Sequence, residues 1–262
     1  MFNYAYLCAI IAKNQQGRRM NNTTDRIFAD IIQKPADFIF DERVASVFPD
    51  MVKRSIPGYP AIIDMIETLT SRYAQPGTNL YDLGCSLGAA SFAMLNGLKQ
   101  DNCKIIAIDS SLAMIEQCKR TPIKNSAPAA IEFYCDDVNN IDYHNASVII
   151  LNFTLQFIEP KLRDNLLIKL ASAIKPGGIL ILSEKVKFDD KEVNDLLIDV
   201  YHAFKKANGY SDLEISQKRT ALENVLKPET IETHLNRLLS AGFKTAEVWF
   251  QCFNFTSMIA IK

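Results

Sequence analysis

From residue 79 onward, short runs that are apolar almost throughout alternate with longer stretches whose apolar positions recur every three or four residues. The runs at 79–83, 104–108, 131–135, 147–151 and 179–182 predict strands, and 89–98, 111–120 and 161–174 predict the helices between them. Strands without a polar face need cover on both sides, so the alternation predicts a parallel sheet between helices, an α/β fold. Ahead of it, 59–73 places Ile62, Ile63, Ile66 and Leu69 on one helical face, with Pro60 in the first turn. After Glu184 the rhythm changes. Two successive helical patterns, 190–208 and 213–225, stand with no strand between them and predict a helical insertion at about 186–228. A helix over 229–241, stopped at Gly242, leads to strands at 245–251 and 255–261, which are close enough to pair as a hairpin and finish the sheet with an antiparallel edge. The loosest stretch is 121–130, with Pro122 and Pro128.

A chain of 262 residues is long enough to bury about 70–75% of its extended surface around one large core. The expectation is one α/β domain over 25–262. Its 29 Lys+Arg against 30 Asp+Glu give a net charge of -1, which lacks the cationic excess that phosphate backbones and anionic membranes demand. Direct nucleic-acid or membrane binding is therefore not expected, and a small-molecule partner is favoured. The six cysteines are scattered without a C-x-x-C pair, and His144, His202 and His234 are not spaced as ligand pairs, so no metal is expected. Reduced thiols fit a cytoplasmic protein. The mostly apolar segment 2–12 is too short to span a bilayer and lacks signal-peptide flanks. Residues 1–24 are expected to be a disordered or loosely attached leader, or to lie largely upstream of a natural start at Met20.

The sharpest chemical signal is Tyr81-Asp82-Leu83-Gly84-Cys85-Ser86-Leu87-Gly88, where the first strand turns into a helix. Glycines there let a ligand approach the backbone and leave amides free to hold it. Ser86 occupies the second glycine position of a G-x-G-x-x-G loop, which argues against pyrophosphate. Asp109 ends the next strand, where a carboxylate can accept both hydroxyls of a ribose or cap the helix that begins near Ser111. Cys135-Asp136-Asp137-Val138 ends the third, offering a carboxylate and an amide to an adenine edge, or simply two acids in a solvated turn. Asn152 ends the fourth among apolar neighbours. Ligands of open α/β sheets sit beyond the carboxyl ends of the strands, and four such features at successive strand ends predict a shared adenosyl pocket.

The ordered set Asp82 to Gly88, Asp109, Asp137 and Lys175-Pro176-Gly177-Gly178 resembles the class I S-adenosylmethionine-dependent methyltransferases. The resemblance implies a Rossmann-like fold, a mostly parallel seven-stranded sheet with an antiparallel C-terminal strand. Over 25–262 the chain is also similar to a narrower branch, the carboxy-S-adenosyl-L-methionine synthases of tRNA wobble-uridine modification. The stretches that carry this likeness are Asp41 to Met51, Ser55-Ile56-Pro57-Gly58-Tyr59-Pro60, Ser216-Gln217-Lys218-Arg219 with Leu222-Glu223-Asn224-Val225, and Trp249-Phe250-Gln251-Cys252-Phe253-Asn254-Phe255.

That second resemblance implies that S-adenosylmethionine is the substrate, carboxylated on its methyl carbon with prephenate as carboxyl donor and phenylpyruvate as co-product. The sulfonium acidifies its methyl group; deprotonation gives an ylide that can capture the carbon dioxide lost from prephenate if water is excluded. The product, carboxy-S-adenosyl-L-methionine, then carries a carboxylate beside the sulfonium, which a guanidinium can bind in a bidentate fashion. By the resemblance Arg219 fills this role; from its position beside Lys218 alone it is a solvated helix face. Tyr59 near the methionyl end, Gly84, Cys85 and Ser86 under the tail, and Asp109 with Ser110, Asp137 with Val138, and Asn152 are its implied contacts. A homodimer is implied, with the product passed to a tRNA carboxymethyltransferase.

Two other activities fit parts of the sequence. An ordinary methyltransferase acting on a small molecule or tRNA would share the core, as would a non-catalytic S-adenosylmethionine-binding protein. Gly84-Cys85-Ser86-Leu87-Gly88 also fits the G-x-S-x-G elbow of a serine hydrolase with Ser86 as nucleophile, although one strand, rather than several, precedes it.

Overall fold

The computed structural model describes residues 24–33, 35–123 and 129–262. Apart from Thr24, the expected leader lies outside the described residues, as do residues 124–128 of the loose stretch. Seven strands, β1 (Asn79–Leu83), β2 (Lys104–Asp109), β3 (Ile131–Cys135), β4 (Ala146–Asn152), β5 (Ile174–Lys185), β6 (Thr245–Cys252) and β7 (Phe255–Ile261), form one sheet in the order β3-β2-β1-β4-β5-β7-β6. The first five run parallel. β7 is antiparallel to both its neighbours.

The last strand is antiparallel as expected, but it is not the edge. β7 lies between β5 and β6, and β6 forms the rim. The side chains account for this: β7 is mostly buried through Thr256, Ser257, Met258 and Ala260, whereas β6 carries the exposed Glu247 and Gln251 that suit an edge.

Along β4 the buried residues alternate between two cores. Val148 and Ile150 join Ile62, Ile66, Leu80 and Met94 beneath helices α2 (Tyr59–Tyr73) and α3 (Ala89–Gly97), while Ile149 and Leu151 join Leu166, Leu170 and Leu238 beneath α5 (Pro160–Ala173) and α8 (Ile231–Ser240). Each such side chain contributes about 1.5–3 kcal/mol on burial, which is why these strands show no polar alternation. α4 (Leu112–Lys119) follows β2, and the insertion is two helices, α6 (Lys191–Ala207) and α7 (Asp212–Leu222).

One helix escapes the periodicity analysis: α1, Glu42–Ser55, which runs through Pro49. Asp41 caps it, accepting from the Val44 amide at 2.9 Å, and Val44, Val47 and Met51 pack on Met114 of α4. The chain before it is held by α7. Gln217 donates to the carbonyls of Phe28 and Asp30 and accepts from the Ile32 amide, and the Phe38 amide donates to the Ala221 carbonyl. The amino-terminal segment, the insertion and the carboxyl ends of the strands thereby enclose one space.

Candidate active site

That space is a cavity of about 420 Å³. Its floor is the loop after β1. The amides of Gly84 and Cys85 both donate to the Ile108 carbonyl, at 2.8 and 2.9 Å, which ties the loop to β2. Gly84 has φ +73°, and a Cβ there would stand 2.4 Å from Thr154 Oγ1. Ser86 has φ +48°, the left-handed conformation its glycine equivalent would take freely, so the departure from the glycine pattern leaves the loop path intact. Its amide donates to Asp109 Oδ2 at 2.8 Å, and the Ser111 amide to Oδ1 at 2.8 Å. Asp109 is not the cap of α4; Ser111 is, through its own hydroxyl. The acid braces the floor and still faces the cavity with lone pairs to spare, and burial raises its pKa.

Nine of the ten sequence-derived contacts line this one cavity: Tyr59, Gly84, Cys85, Ser86, Asp109, Ser110, Asp137, Val138 and Asn152. Asn152 is the most telling. Its Oδ1 is buried without a hydrogen-bond partner among the described residues, an arrangement that costs about 1–3 kcal/mol unless a ligand donor completes it. Asp137 accepts from the Asn139 amide at 2.8 Å, which fixes the carboxylate at the end of β3. Tyr59 opens α2 with its ring centroid 6.4 Å from that of Phe153; burial, then the charge of Asp82, raises its hydroxyl pKa. Together these groups fit an adenosyl sulfonium amino acid. Acids and an orphaned acceptor suit ribose hydroxyls and an ammonium, and the glycine backbone of the floor leaves room for an amino-acid tail.

The structure brings further residues to the cavity beyond the expected contacts, among them one acid of the glycine-loop motif. Asp82 lies in the cavity wall, accepts from Ser91 Oγ at 2.6 Å and is pushed up by burial to about 6. Across β4, three lysines enter the lining: Lys185 at the end of β5, Lys205 on α6 and Lys218 on α7. Burial depresses all three, to about 8, 7 and 8 respectively. Tyr201 and Tyr210 sit between them, Tyr201 5.1 Å from the Lys185 ammonium and 5.2 Å from that of Lys205. The available sequence signal was a lysine at helical spacing from apolar residues, and Lys205, four and eight positions after Tyr201 and Leu197, carries it.

Arg219 is the exception among the sequence-derived contacts. It is exposed on α7 and does not line the cavity of this chain, although its charge reaches far enough to help depress Lys185. The remote serine-hydrolase alternative finds no support around Ser86. No histidine stands among the described lining residues, so Ser86 has no imidazole base, and its amide is committed to Asp109.

Comparison with known proteins accords with this geometry. A methyltransferase domain matches residues 80–178. Solved structures at low identity share the fold: a putative S-adenosyl-L-methionine-dependent methyltransferase from Methanococcus maripaludis (22% identity, TM-score 0.55, 86% of this chain and 95% of that one) and human N-acetylserotonin methyltransferase (18%, 0.58, 84% and 55%). Two curated relatives span nearly the whole chain, the carboxy-S-adenosyl-L-methionine synthases of Photobacterium profundum (53% identical over 238 residues, 91% of this chain and 98% of the relative) and Escherichia coli O17:K52:H18 (54%, 91% and 96%). With more than half of 238 aligned residues identical to relatives that are matched almost end to end, the chain belongs to the carboxy-S-adenosyl-L-methionine synthase family of transferases.

Proposed function

We propose that the protein converts S-adenosyl-L-methionine and prephenate into carboxy-S-adenosyl-L-methionine and phenylpyruvate, and that this product serves wobble-uridine modification of tRNA through a separate carboxymethyltransferase. The observation that carries the reading is the polarity of the cavity at the strand ends: acids at the ends of β1, β2 and β3, cations from β5, α6 and α7. A methyl transfer to a neutral acceptor has no use for the second set. A reaction that brings an anionic carboxyl donor to a sulfonium substrate does.

In this reading Asp109 and Ser110 hold the ribose, Asp137 and Val138 the adenine edge, and Tyr59, Gly84, Cys85, Ser86 and Asn152 the methionyl end. The reaction balances without an oxidant. Prephenate loses its ring carboxyl as carbon dioxide and its ring hydroxyl as hydroxide to become aromatic, the hydroxide and the substrate's methyl proton leave as water, and the methyl carbon takes up the carbon dioxide. The protein's part is to align the two substrates and exclude water, which the aromatic and aliphatic wall of Phe40, Phe48, Met51, Phe153 and Phe255 supports. Arg219 is assigned to the new carboxylate. It stands exposed on α7, so the assignment requires its guanidinium to come to a cavity from there, within the chain or across the expected homodimer. A cytoplasmic setting accompanies the reading.

Purified protein given both substrates should yield phenylpyruvate and a cofactor heavier by one carboxyl in mass spectrometry. Methyl transfer alone, or no consumption of prephenate, would reject the reading. Arg219→Ala should weaken the carboxylated product at least tenfold while S-adenosyl-L-methionine is held nearly as before; equal losses would remove Arg219 from this role.

A further inference from the structure

We propose that Lys185, Lys205 and Lys218, gathered around Tyr201 and Tyr210 at the β5 end of the cavity, form the binding site of the carboxyl donor and recognise it as a dicarboxylate. The inference rests on the proposed function and names the residues for its second substrate.

Three observations carry it. First, the cations are buried in one place: Lys205 and Lys218 are 5% and 6% exposed, and both line the same cavity as Lys185. Burying an ammonium is costly unless an opposite charge meets it. Second, the opposite charge inside the protein falls short. Lys218 has Asp25 at 3.6 Å and Ser55 Oγ at 3.2 Å. Lys185 and Lys205 have no ion pair among the described residues; each has only the faces of tyrosine rings, Lys205 5.2 Å from Tyr201 and 5.9 Å from Tyr210. Asp50, the other acid nearby, is taken by Arg54 at 3.1 Å. Two amino groups are therefore left without an ion-pair partner among the described residues, one for each carboxylate of a dicarboxylate.

Third, the tail of S-adenosyl-L-methionine is a poor candidate for this place. It is a zwitterion, and its ammonium would be repelled by the lysines while its fit is to Asp82 and the orphaned Asn152 Oδ1 at the ends of β1 and β4. Tyr201 adds a further feature. It is 8% exposed, lies in the lining, and makes no hydrogen bond through its hydroxyl among the described residues, so its ring edge and hydroxyl are available to an unsaturated ring. The cations also lower one another's pKa, and a bound dianion would relieve that repulsion.

The test compares Lys205→Met, Lys205→Arg and Lys185→Met in the full chain, measuring S-adenosyl-L-methionine affinity by calorimetry and prephenate both as a ligand by calorimetry and as a substrate by its KM. The expected result is a prephenate KM and Kd raised at least tenfold in both Met variants, with partial recovery in Lys205→Arg and S-adenosyl-L-methionine affinity within twofold of the parent, which also certifies the fold. Loss of both ligands to the same extent in the two Met variants overturns the inference and gives the lysines to the substrate's tail. Turnover with an unmoved prephenate KM overturns it and leaves the proposed function standing. Prephenate that binds to the parent, weakens in the variants and is never decarboxylated upholds the lysine site while the proposed function fails. Absence of prephenate binding to the parent overturns both.

Discussion

The two sides of the cavity are built in different ways. The acid side hangs from consecutive strand ends: Asp82, Asp109, Asp137 and Asn152 each sit at or just past the end of a strand, and the parallel sheet brings them together by register. The cation side has no such rule. Lys185 ends β5, Lys205 and Lys218 come from the two insertion helices, and Asp25, which pairs with Lys218, comes from the amino-terminal segment. One half is assembled by local motifs repeated along a sheet, the other by packing between segments nearly two hundred residues apart. The first half should fail one ligand at a time; the second should couple ligand binding to the stability of the whole enclosure.

The largest effect expected is on the acid side. Asp109→Ala removes a carboxylate that accepts two loop amides and is proposed to hold the ribose, and should weaken S-adenosyl-L-methionine by about 3 kcal/mol, more than a hundredfold, in calorimetry. A loss shared equally with prephenate would erase the distinction between the two sides. Next is Gly84→Ala, whose Cβ would press on Thr154 in a left-handed backbone; about 2–3 kcal/mol of stability should disappear in urea unfolding. An unchanged midpoint would mean that the floor can shift.

The pH dependence of stability probes the cation side. Lys205 titrates near 7 in the folded chain against 10.5 as a free side chain, so between those values the unfolded state binds the extra proton and stability rises with pH. Lys185 and Lys218, both near 8, act in the same sense. Asp82, near 6, and Glu184, near 8, act oppositely, so stability falls as pH rises from about 4 toward 8. Lys205→Met, which removes a buried charge facing Lys185, Lys218 and Asp25, should be about 1–2 kcal/mol more stable than the parent at pH 7, with a flatter rise toward pH 10 in thermal melts. An unaltered slope would show that this ammonium is not desolvated. The smallest effect belongs to Ser91→Ala. Loss of its hydrogen bond should push the Asp82 pKa further above 6, visible by carboxyl NMR, for under 1.5 kcal/mol of stability.

Legibility in the sequence follows the same division. Strands β1 to β5 and their helices were readable because both faces of the sheet are covered and each element announces its own period. Eight of the nine cavity contacts were readable because ligands of such sheets gather at strand ends, whereas Tyr59, which opens α2, came from the family resemblance alone. The helix α1 was not, since its pattern is interrupted at Pro49 and its apolar face is answered by Met114 and by Phe38 and Phe40 outside the helix. The interior place of β7 was not, because a hairpin's order against its neighbours depends on which strand can tolerate an edge. Arg219 shows the converse: resemblance assigned it a ligand, and the fold of one chain leaves it outside the cavity that its neighbour Lys218 enters.

The stretches shared with the family make the point at longer range. Ser55 to Pro60 and Trp249 to Phe255 look unrelated along the chain, yet a Cβ on Gly58 would stand 2.3 Å from the ring of Phe250, and Tyr59 and Phe255 both face the cavity. Sequence by itself determined the α/β order, the glycine floor and the acids of the adenosyl side, since period, turn geometry and strand-end position are set by residues near one another. Only the tertiary structure decided that three lysines would share one wall and that, among the described residues, Asp25 alone would form an ion pair with any of them, since charge compensation depends on which distant segments pack together, and no local pattern carries that information.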